Sequence, residues 1–434
     1  MLKKLTNFFI KICERWMPDP FIYAIMLSVI VLVLGMVFNG ESLAAMLGHW
    51  GDGFWGFLAF GMQMILVVVL GEALAKGPIF KRLLERLAEK PKSPQQAVIL
   101  VSLVSGIACI LQWGFGLIIG AIFAKEVAKK VKGVDYRLLL ASAYGAFMLT
   151  IPTSTIILKV ASNAEELSMV TNGVLTQVIP ISKTVGHPIS FAIIALMFVT
   201  LPFFNAKMHP APENTVTIDP ALLEDDEIVE AVKTNTPAEK MENSKAIIIS
   251  TVLAGFYVIF RHFVLQGKSL NIDIMNFILL ILGMLVHKTP NAYLKAIKSS
   301  VSSSAGIILQ FPFYAGIMGM MNGVNADGIS LASVIAGSMI SISTPKTLPI
   351  FAFITASILN FFVPSSGGLW AVQAPLMFPA AKALGVDYVI MVMAISIGET
   401  WTNLIQPFWA LPQLGIAGLK IKDIMGFCTM IALW

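Results

Sequence analysis

Charge is scarce in this sequence. Asp, Glu, Lys and Arg make up 13% of its 434 residues, whereas an ordinary soluble domain has about a quarter. A composition this apolar excludes a disordered segment and a cytosolic enzyme. The net charge is only +5, and no run of Lys and Arg is interleaved with aromatic residues, so a nucleic-acid partner is excluded as well.

Cysteine and histidine are also rare, with three and five residues. Cys13, Cys109 and Cys428 are odd in number and far apart, which supports neither a disulfide framework nor a zinc site. The sequence contains neither His-Glu-x-x-His nor Gly-x-Ser-x-Gly, so an intramembrane hydrolase would lack its usual motifs. We therefore expect no cofactor, no bound metal and no enzymatic activity.

Long charge-free runs are what the sequence has instead. They cover residues 21–40, 53–71, 93–124, 138–158, 299–326 and 347–381. Each is long enough to span a bilayer, which takes about 20 residues of helix. The runs predict an all-α integral membrane protein with about nine crossings plus two re-entrant helical hairpins, and the lipid bilayer as its surroundings.

Basic residues near the ends of the runs predict the orientation. The first 19 residues carry four, the loop at 41–52 carries none, and the stretch from Lys76 to Lys92 carries six. The N-terminus is therefore expected in the cytoplasm. We expect an interfacial helix at 1–19, a first half at 20–205, an acidic cytoplasmic linker at 206–245 and a second half at 246–434.

Two of the runs, 93–124 and 347–381, are too long for one crossing and too short for two with a loop. We expect each to form a hairpin of two half-helices, at about 95–124 and about 347–381. Their turns, here called the first tip (112–116) and the second tip (360–370), are rich in glycine.

The two halves share a repeated tetrapeptide. Gly-Val-Asp-Tyr occurs at 133–136 and again at 385–388, and the same offset of 252 residues brings the two long runs into register. The span before the first hairpin is predicted to run inward and the span before the second outward, so the halves are expected to be inverted. Inverted repeats with broken membrane elements are typical of secondary transporters, whose substrate binds near the midplane.

The tips supply the candidate binding residues. In the second tip, Pro364 ends one half-helix and the glycines allow the reversal. The next half-helix then presents free backbone N–H groups to an anion. The candidate residues of the second tip are Asn360, Ser365, Ser366, Gly367 and Gly368, and those of the first tip are Gln112, Trp113, Gly114 and Gly116.

Each hairpin is followed by a span that we expect to be broken. The second has Pro407 in its interior, and the first has a run of Thr, Pro and Ser at 150–155. Glu399 lies 11 residues after Tyr388, near the expected bilayer centre, where an ionisable group is a functional candidate. The alternative is a structural carboxyl that braces the break. Thr402 and Asn403 are candidate polar contacts, and Trp401 is a candidate cover for an alkyl group.

Longer strings carry a family resemblance. Residues 50–55, 58–64, 113–116, 310–316, 360–368 and 406–412 together resemble the bacterial short-chain fatty acid transporter family. The resemblance implies uptake of acetoacetate, butyrate and similar monocarboxylates across the bacterial inner membrane. It also implies kinship with a superfamily of inverted-repeat ion transporters whose dicarboxylate members are dimers, so a homodimer is expected.

The residues agree with a small monocarboxylate as substrate. No Arg is predicted deep in a span, so a dianion would lack its usual bidentate partner, and Lys159 is predicted to reach the interface from a span end. An ionised Glu399 would repel a bound carboxylate, so binding should favour the protonated acid and proton symport. The alternatives are a carrier coupled to sodium, held by tip carbonyls, and an ion antiporter.

Overall fold

The computed structural model describes residues 2–111, 113–162, 164–219, 236–268 and 270–434. Regular secondary structure in these ranges is helical, apart from one isolated β-bridge between Val324 and Ser330. The predicted all-α class is therefore confirmed.

Twelve α-helices lie between residues 2 and 207. They are α1 (Leu2–Trp16), α2 (Pro20–Phe38), α3 (Leu43–Gly53), α4 (Leu58–Lys76), α5 (Pro78–Ala88), α6 (Pro94–Leu111), α7 (Trp113–Lys130), α8 (Tyr136–Gly145), α9 (Thr155–Ser162), α10 (Ala164–Val170), α11 (Ile181–Thr184) and α12 (Pro188–Lys207).

Eleven described α-helices follow. They are α13 (Pro237–Glu242), α14 (Lys245–Phe260), α15 (Ile272–His287), α16 (Pro290–Ser300), α17 (Ala305–Asn322), α18 (Leu331–Ser341), α19 (Leu348–Phe362), α20 (Ser366–Leu384), α21 (Tyr388–Thr402), α22 (Leu411–Ala417) and α23 (Ile421–Leu433).

Many of these helices are apolar enough to lie in a membrane. By length and composition, seven described helical segments could cross one: Pro20–Phe38, Leu58–Lys76, Pro94–Leu111, Tyr136–Ser162, Ser190–Lys207, Pro237–Leu265 and Pro290–Asn322. Shorter apolar helices, among them α15, α19 and α21, accompany them. The protein is thus a multi-pass membrane protein, and the number of nine crossings plus two hairpins stays a prediction.

Each of the two long runs forms a pair of packed helices. The first pair is α6 and α7, separated by one residue, and the second is α19 and α20, separated by residues 363–365. The arms of the first pair touch at Gly116, where an added Cβ would lie 2.6 Å from the backbone of Cys109. Gly116 therefore allows close packing of the two arms.

The repeated tetrapeptide adopts the same local structure twice. Gly133 and Gly385 have φ angles of +72° and +67°, in the left-handed region that favours glycine. Asp135 caps α8 by accepting from the N–H of Leu138 at 3.0 Å, and Asp387 caps α21 by accepting from the N–H of Val389 at 2.7 Å.

The surroundings of the two copies differ. Asp135 is fully buried and forms an ion pair with Arg137 at 2.9 Å, and Arg137 pairs in turn with Glu14 of α1 at 2.9 Å. Asp135 also accepts from the N–H of Val216 at 3.0 Å, and its own N–H donates to His209 Nε2 at 3.1 Å.

These contacts show that the first part of the predicted linker, residues 206–219, is packed against the helices. Met208, His209 and Ile218 are buried, so the described part of 206–219 packs on the first tetrapeptide because it supplies polar partners to that turn. Residues 220–235, which contain the acidic run, lie outside the described residues. The helix predicted within 1–19 forms as α1 and packs on α23, where Ile10 lies against Gly426.

The difference between the two aspartates predicts different costs of removal. Asp135→Ala deprives a buried Arg and two backbone N–H groups of an acceptor, so it should lower the free energy of unfolding by about 3 kcal/mol or more. Asp387 is exposed, and Asp387→Ala should cost only a helix cap, about 1 kcal/mol. Thermal unfolding of both variants in detergent measures this, and equal shifts would contradict the assignment.

Candidate functional site

A cavity of about 740 Å³ lies where the two tips and the two helix breaks meet. Its wall is formed by α4, the first tip, the first break with α9, the start of α11, the start of α15 with the two residues before it, the second tip, and the end of α21 with the second break. Its lining residues are Phe60, Leu111, Trp113, Phe147, Thr150, Ser154, Thr155, Leu158, Lys159, Ala161, Ser162, Ile181, Leu270, Asn271, Ile272, Ser365, Ser366, Gly367, Glu399, Thr400, Asn403 and Trp409.

The first tip contributes mainly apolar surface. Leu111 ends α6 and Trp113 begins α7, and both line the cavity. Gly114 and Gly116 are buried behind Trp113 in α7 and do not line it. The remaining candidate of this tip, Gln112, lies outside the described residues.

The second tip contributes backbone and hydroxyl donors. Ser365 caps α20, and its Oγ accepts from the N–H of Gly368 at 3.3 Å. The N–H groups of Ser366 and Gly367 come first in the helix and have no acceptor within it. Ser365, Ser366 and Gly367 all line the cavity, so the positive end of α20 borders it. A Cβ on Gly367 would meet no atom within 4 Å.

Glu399 joins this tip to α21. Its side chain is 3% exposed and lines the cavity. Oε1 accepts from Ser366 Oγ at 3.1 Å and from Asn403 Nδ2 at 3.0 Å, and Oε2 accepts from Thr400 Oγ1 at 3.4 Å. All three donors are neutral, and no cation of the described chain lies within 4 Å of this carboxyl group.

Asn360 fixes the tip against the second break from behind the cavity. It is fully buried, and its Nδ2 lies 3.0 Å from the carbonyl oxygen of Glu399, 3.0 Å from Thr402 Oγ1 and 2.6 Å from Asn403 Oδ1. Asn360, Thr402 and Gly368 do not line the cavity. Asn360 and Thr402 have the geometry of positioning residues for Glu399 and Asn403.

The predicted break at Pro407 is confirmed. Helix α21 ends at Thr402, and a short 3₁₀ segment, Phe408–Ala410, precedes α22. Gln406 holds the turn, since its Nε2 donates to Asn403 Oδ1 at 3.1 Å and its Oε1 accepts from the N–H of Phe408 at 3.2 Å.

The first break is a 3₁₀ segment, Ala146–Thr153, between α8 and α9. Thr150, Ser154 and Thr155 line the cavity here, and so does Lys159 in α9. The prediction that Lys159 only reaches toward the interface is therefore incomplete. Position along a span indicates depth, whereas contact with the cavity depends on how α9 is rotated.

The aromatic wall was only partly foreseen. Trp401 does not line the cavity, because its Nε1 donates to the carbonyl of Ala432 at 2.8 Å and thereby faces α23. Trp409 lies instead against Trp113, Phe147 and Phe60, with ring centroids 5.0, 5.9 and 6.0 Å apart. Trp409 belongs to residues 406–412, which carry part of the family resemblance. That resemblance is the sequence feature that could have identified Trp409 as a site residue.

Two polar atoms of lining residues lack a protein partner. Ser154 Oγ and Trp409 Nε1 are buried and form no hydrogen bond within the described chain. A buried polar group without a partner is costly. These groups are therefore available as donors to a bound molecule.

Comparisons with known proteins agree on one family. The family model described as short chain fatty acid transporter matches residues 1–434. A relative in Escherichia coli (strain K12) is 39% identical over 443 residues, covering 100% of this chain and 97% of the relative. One in Haemophilus influenzae is 38% identical over 434 residues, covering 99% and 96%. Both are named "Putative short-chain fatty acid transporter".

Among solved structures, the chain is similar to the crystal structure of the Alcanivorax borkumensis YdaH transporter. The two share 16% sequence identity with a TM-score of 0.43, over 96% of this chain and 98% of the other.

The two tip glycines should respond differently to substitution. Gly116→Val would force the arms of the first hairpin apart, so we expect a loss of at least about 1–3 kcal/mol in the free energy of unfolding. Gly367→Val points into open space and should leave unfolding nearly unchanged. Thermal unfolding in detergent compares the two, and a Gly367→Val protein that unfolds as easily as Gly116→Val would contradict the geometry of the second tip.

Proposed function

The chain belongs to the short-chain fatty acid transporter family, and from this membership we propose that it is a secondary active carrier for the uptake of short-chain monocarboxylates, such as acetoacetate and butyrate, coupled to protons. The observation that carries the proposal is the single cavity shared by both tips and Glu399. Its working place would be a bacterial inner membrane, with the N-terminus in the cytoplasm.

The cavity offers two kinds of surface for such a substrate. The N–H groups at the start of α20, the hydroxyls of Ser365 and Ser366 and the amide of Asn403 suit one carboxylate. Phe60, Trp113, Phe147 and Trp409 suit a short alkyl group. Trp401, which faces α23, has no part in this version of the site.

Glu399 is the proposed proton carrier. An ionised carboxyl group repels a substrate carboxylate in the same apolar cavity, so substrate binds best when Glu399 is protonated. Its partners suit both states, because a Ser or Thr hydroxyl can donate to the carboxylate or accept from the acid. A carboxyl with a fixed cationic partner would resist protonation.

Contacts at the two ends of α12 support the inverted arrangement of the halves. This helix has 20 residues, about 30 Å, enough to cross a bilayer. The first tetrapeptide contacts residues 209–216 just after α12. The second tetrapeptide shares a cavity with residues 174–183 just before α12. Turns related by the repeat thus lie at opposite ends of one crossing helix. The homodimer stays a prediction.

Glu399→Gln tests the coupling. Gln resembles the protonated acid, so butyrate should still bind and exchange across the membrane of proteoliposomes, because exchange moves no net proton. Accumulation driven by a pH gradient should be lost, because the carrier can no longer release a proton inside. Labelled butyrate uptake under imposed gradients measures both.

The matched control is Glu72→Gln, which neutralises another carboxyl group in an apolar helix away from the cavity and should leave driven uptake intact. Normal pH-driven accumulation by Glu399→Gln would show that Glu399 only braces the break. If a sodium gradient alone drives wild-type uptake, the proton assignment is wrong.

Labelling of single cysteines tests the inversion. In a background without the native cysteines, positions 82 and 90 should react only from the cytoplasmic side, and positions 327 and 341 only from the outer side. All four positions are exposed. A membrane-impermeant maleimide added to intact cells and to inverted vesicles makes the distinction, and labelling of all four from one side refutes the inverted halves.

A further inference from the structure

Two side chains in the cavity wall carry hydrogen-bond donors that nothing in the described chain accepts. Ser154 and Trp409 are 8% and 5% exposed and line the cavity, and neither Ser154 Oγ nor Trp409 Nε1 has a partner. Other buried polar atoms of the described residues also lack partners, but their residues do not line the cavity. Because an unpartnered buried donor is costly, these two positions point to a bound molecule that supplies an acceptor.

Ser154 holds a helix-capping position without capping the helix. Its carbonyl oxygen accepts from the N–H of Leu158 at 3.0 Å, which makes it the N-cap residue of α9. A serine at this position usually accepts from an N–H of the first turn, as Ser365 does from Gly368 at the start of α20. The Ser154 hydroxyl forms no such bond. It is therefore free to donate to a bound molecule beside the N-terminal end of α9.

Trp409 lies in the aromatic part of the same wall. Its ring centroid is 5.0 Å from that of Trp113 and 5.9 Å from that of Phe147, and Phe147 belongs to the 3₁₀ segment that ends just before Ser154. The proposed function places the alkyl group of the substrate against these rings and its carboxylate at the start of α20. The two unpartnered donors therefore belong to the part of the cavity that receives the carbon chain.

The chemistry of the two donors defines the group that they can bind. An indole N–H only donates, and a serine hydroxyl can donate as well. A carbonyl oxygen has two lone pairs and can accept from both. A saturated chain accepts from neither, so it would leave both donors unpaired in a cavity from which it displaces water.

We propose that Ser154 and Trp409 form a subsite for a carbonyl oxygen on the carbon chain of the substrate, so that the carrier prefers 3-oxo acids to unsubstituted acids of the same length. This inference rests on the proposed function and ranks the substrates within it. An oxygen on carbon 2 lies beside the carboxylate and would stay near α20, whereas one on carbon 3 lies farther along the chain. A site that hydrogen-bonds a substrate group discriminates against the analogue without that group.

The experiment measures the KM of butyrate and of acetoacetate for exchange in proteoliposomes, with 2-oxobutyrate as a competitor. All three are four-carbon monoanions at neutral pH, so they differ only in the oxo group. For the wild type, the KM of acetoacetate should be about tenfold lower than that of butyrate, as expected when one or two donors gain a partner. Competition by 2-oxobutyrate should be no stronger than competition by butyrate.

Variants with matched controls assign the preference to the two donors. Trp409→Phe and Ser154→Ala each remove one donor, so each should bring the ratio of the two KM values closer to 1, while Ser154→Thr keeps a hydroxyl and should keep the ratio. Trp50→Phe and Ser142→Ala remove buried groups that also lack partners but lie away from the cavity. These controls should keep the wild-type ratio. A purely structural role would alter the amount of active protein and not the ratio.

Each outcome bears on the subsite separately from the proposed function. Equal KM values for butyrate and acetoacetate in the wild type overturn the subsite, and this measurement needs no variant. A wild-type ratio in both Trp409→Phe and Ser154→Ala also overturns it. Competition by 2-oxobutyrate as strong as that by acetoacetate would place the acceptor at the carboxylate end, against the proposal. Absence of exchange with both butyrate and acetoacetate refutes the proposed function itself.

Discussion

Polar groups inside this protein need partners from the protein, because hydrocarbon supplies none. The breaks that follow α8 and α21 free backbone groups, and Glu399 adds a carboxyl group beside the second break. Asn360 and Gln406 form hydrogen bonds with backbone groups at the second break, and Ser366 and Asn403 donate hydrogen bonds to the Glu399 carboxyl group. The second tip and the broken helix are therefore held together by the same few side chains. A proton or an anion that enters the cavity changes the hydrogen bonds of both.

Features set by the local chain were predictable from sequence. The lengths of the charge-free runs predicted the two helix pairs, and Pro407 predicted the second break. Counting residues from Tyr388 predicted that Glu399 lies in the apolar interior. Features that depend on rotation and tertiary packing were not. Lys159 reaches the cavity through the orientation of α9, and Trp401 turns to α23 because Ala432 offers it a carbonyl. The family string at 406–412 pointed to Trp409 without indicating its neighbours.

The repeated tetrapeptide illustrates the same limit. A glycine with positive φ followed by a capping aspartate forms the same turn twice. Its partners differ, since the first copy is joined to α1 and to the segment after α12 through Arg137, His209 and Val216. The repeated sequence thus predicts the same local structure in both halves. It does not predict which other segments each turn contacts, because those contacts depend on the fold. The ion pair between Arg137 and Glu14 connects this turn to the N-terminal helix.

The central claim is that a monocarboxylate and a proton bind to the same cavity together. Calorimetric titration of butyrate into the purified protein tests it most directly, when repeated in buffers with different heats of ionisation. At a pH where Glu399 is ionised in the empty carrier, the account predicts uptake of about one proton per butyrate bound, and none with Glu399→Gln. A binding heat that is the same in every buffer across the pH range would contradict it.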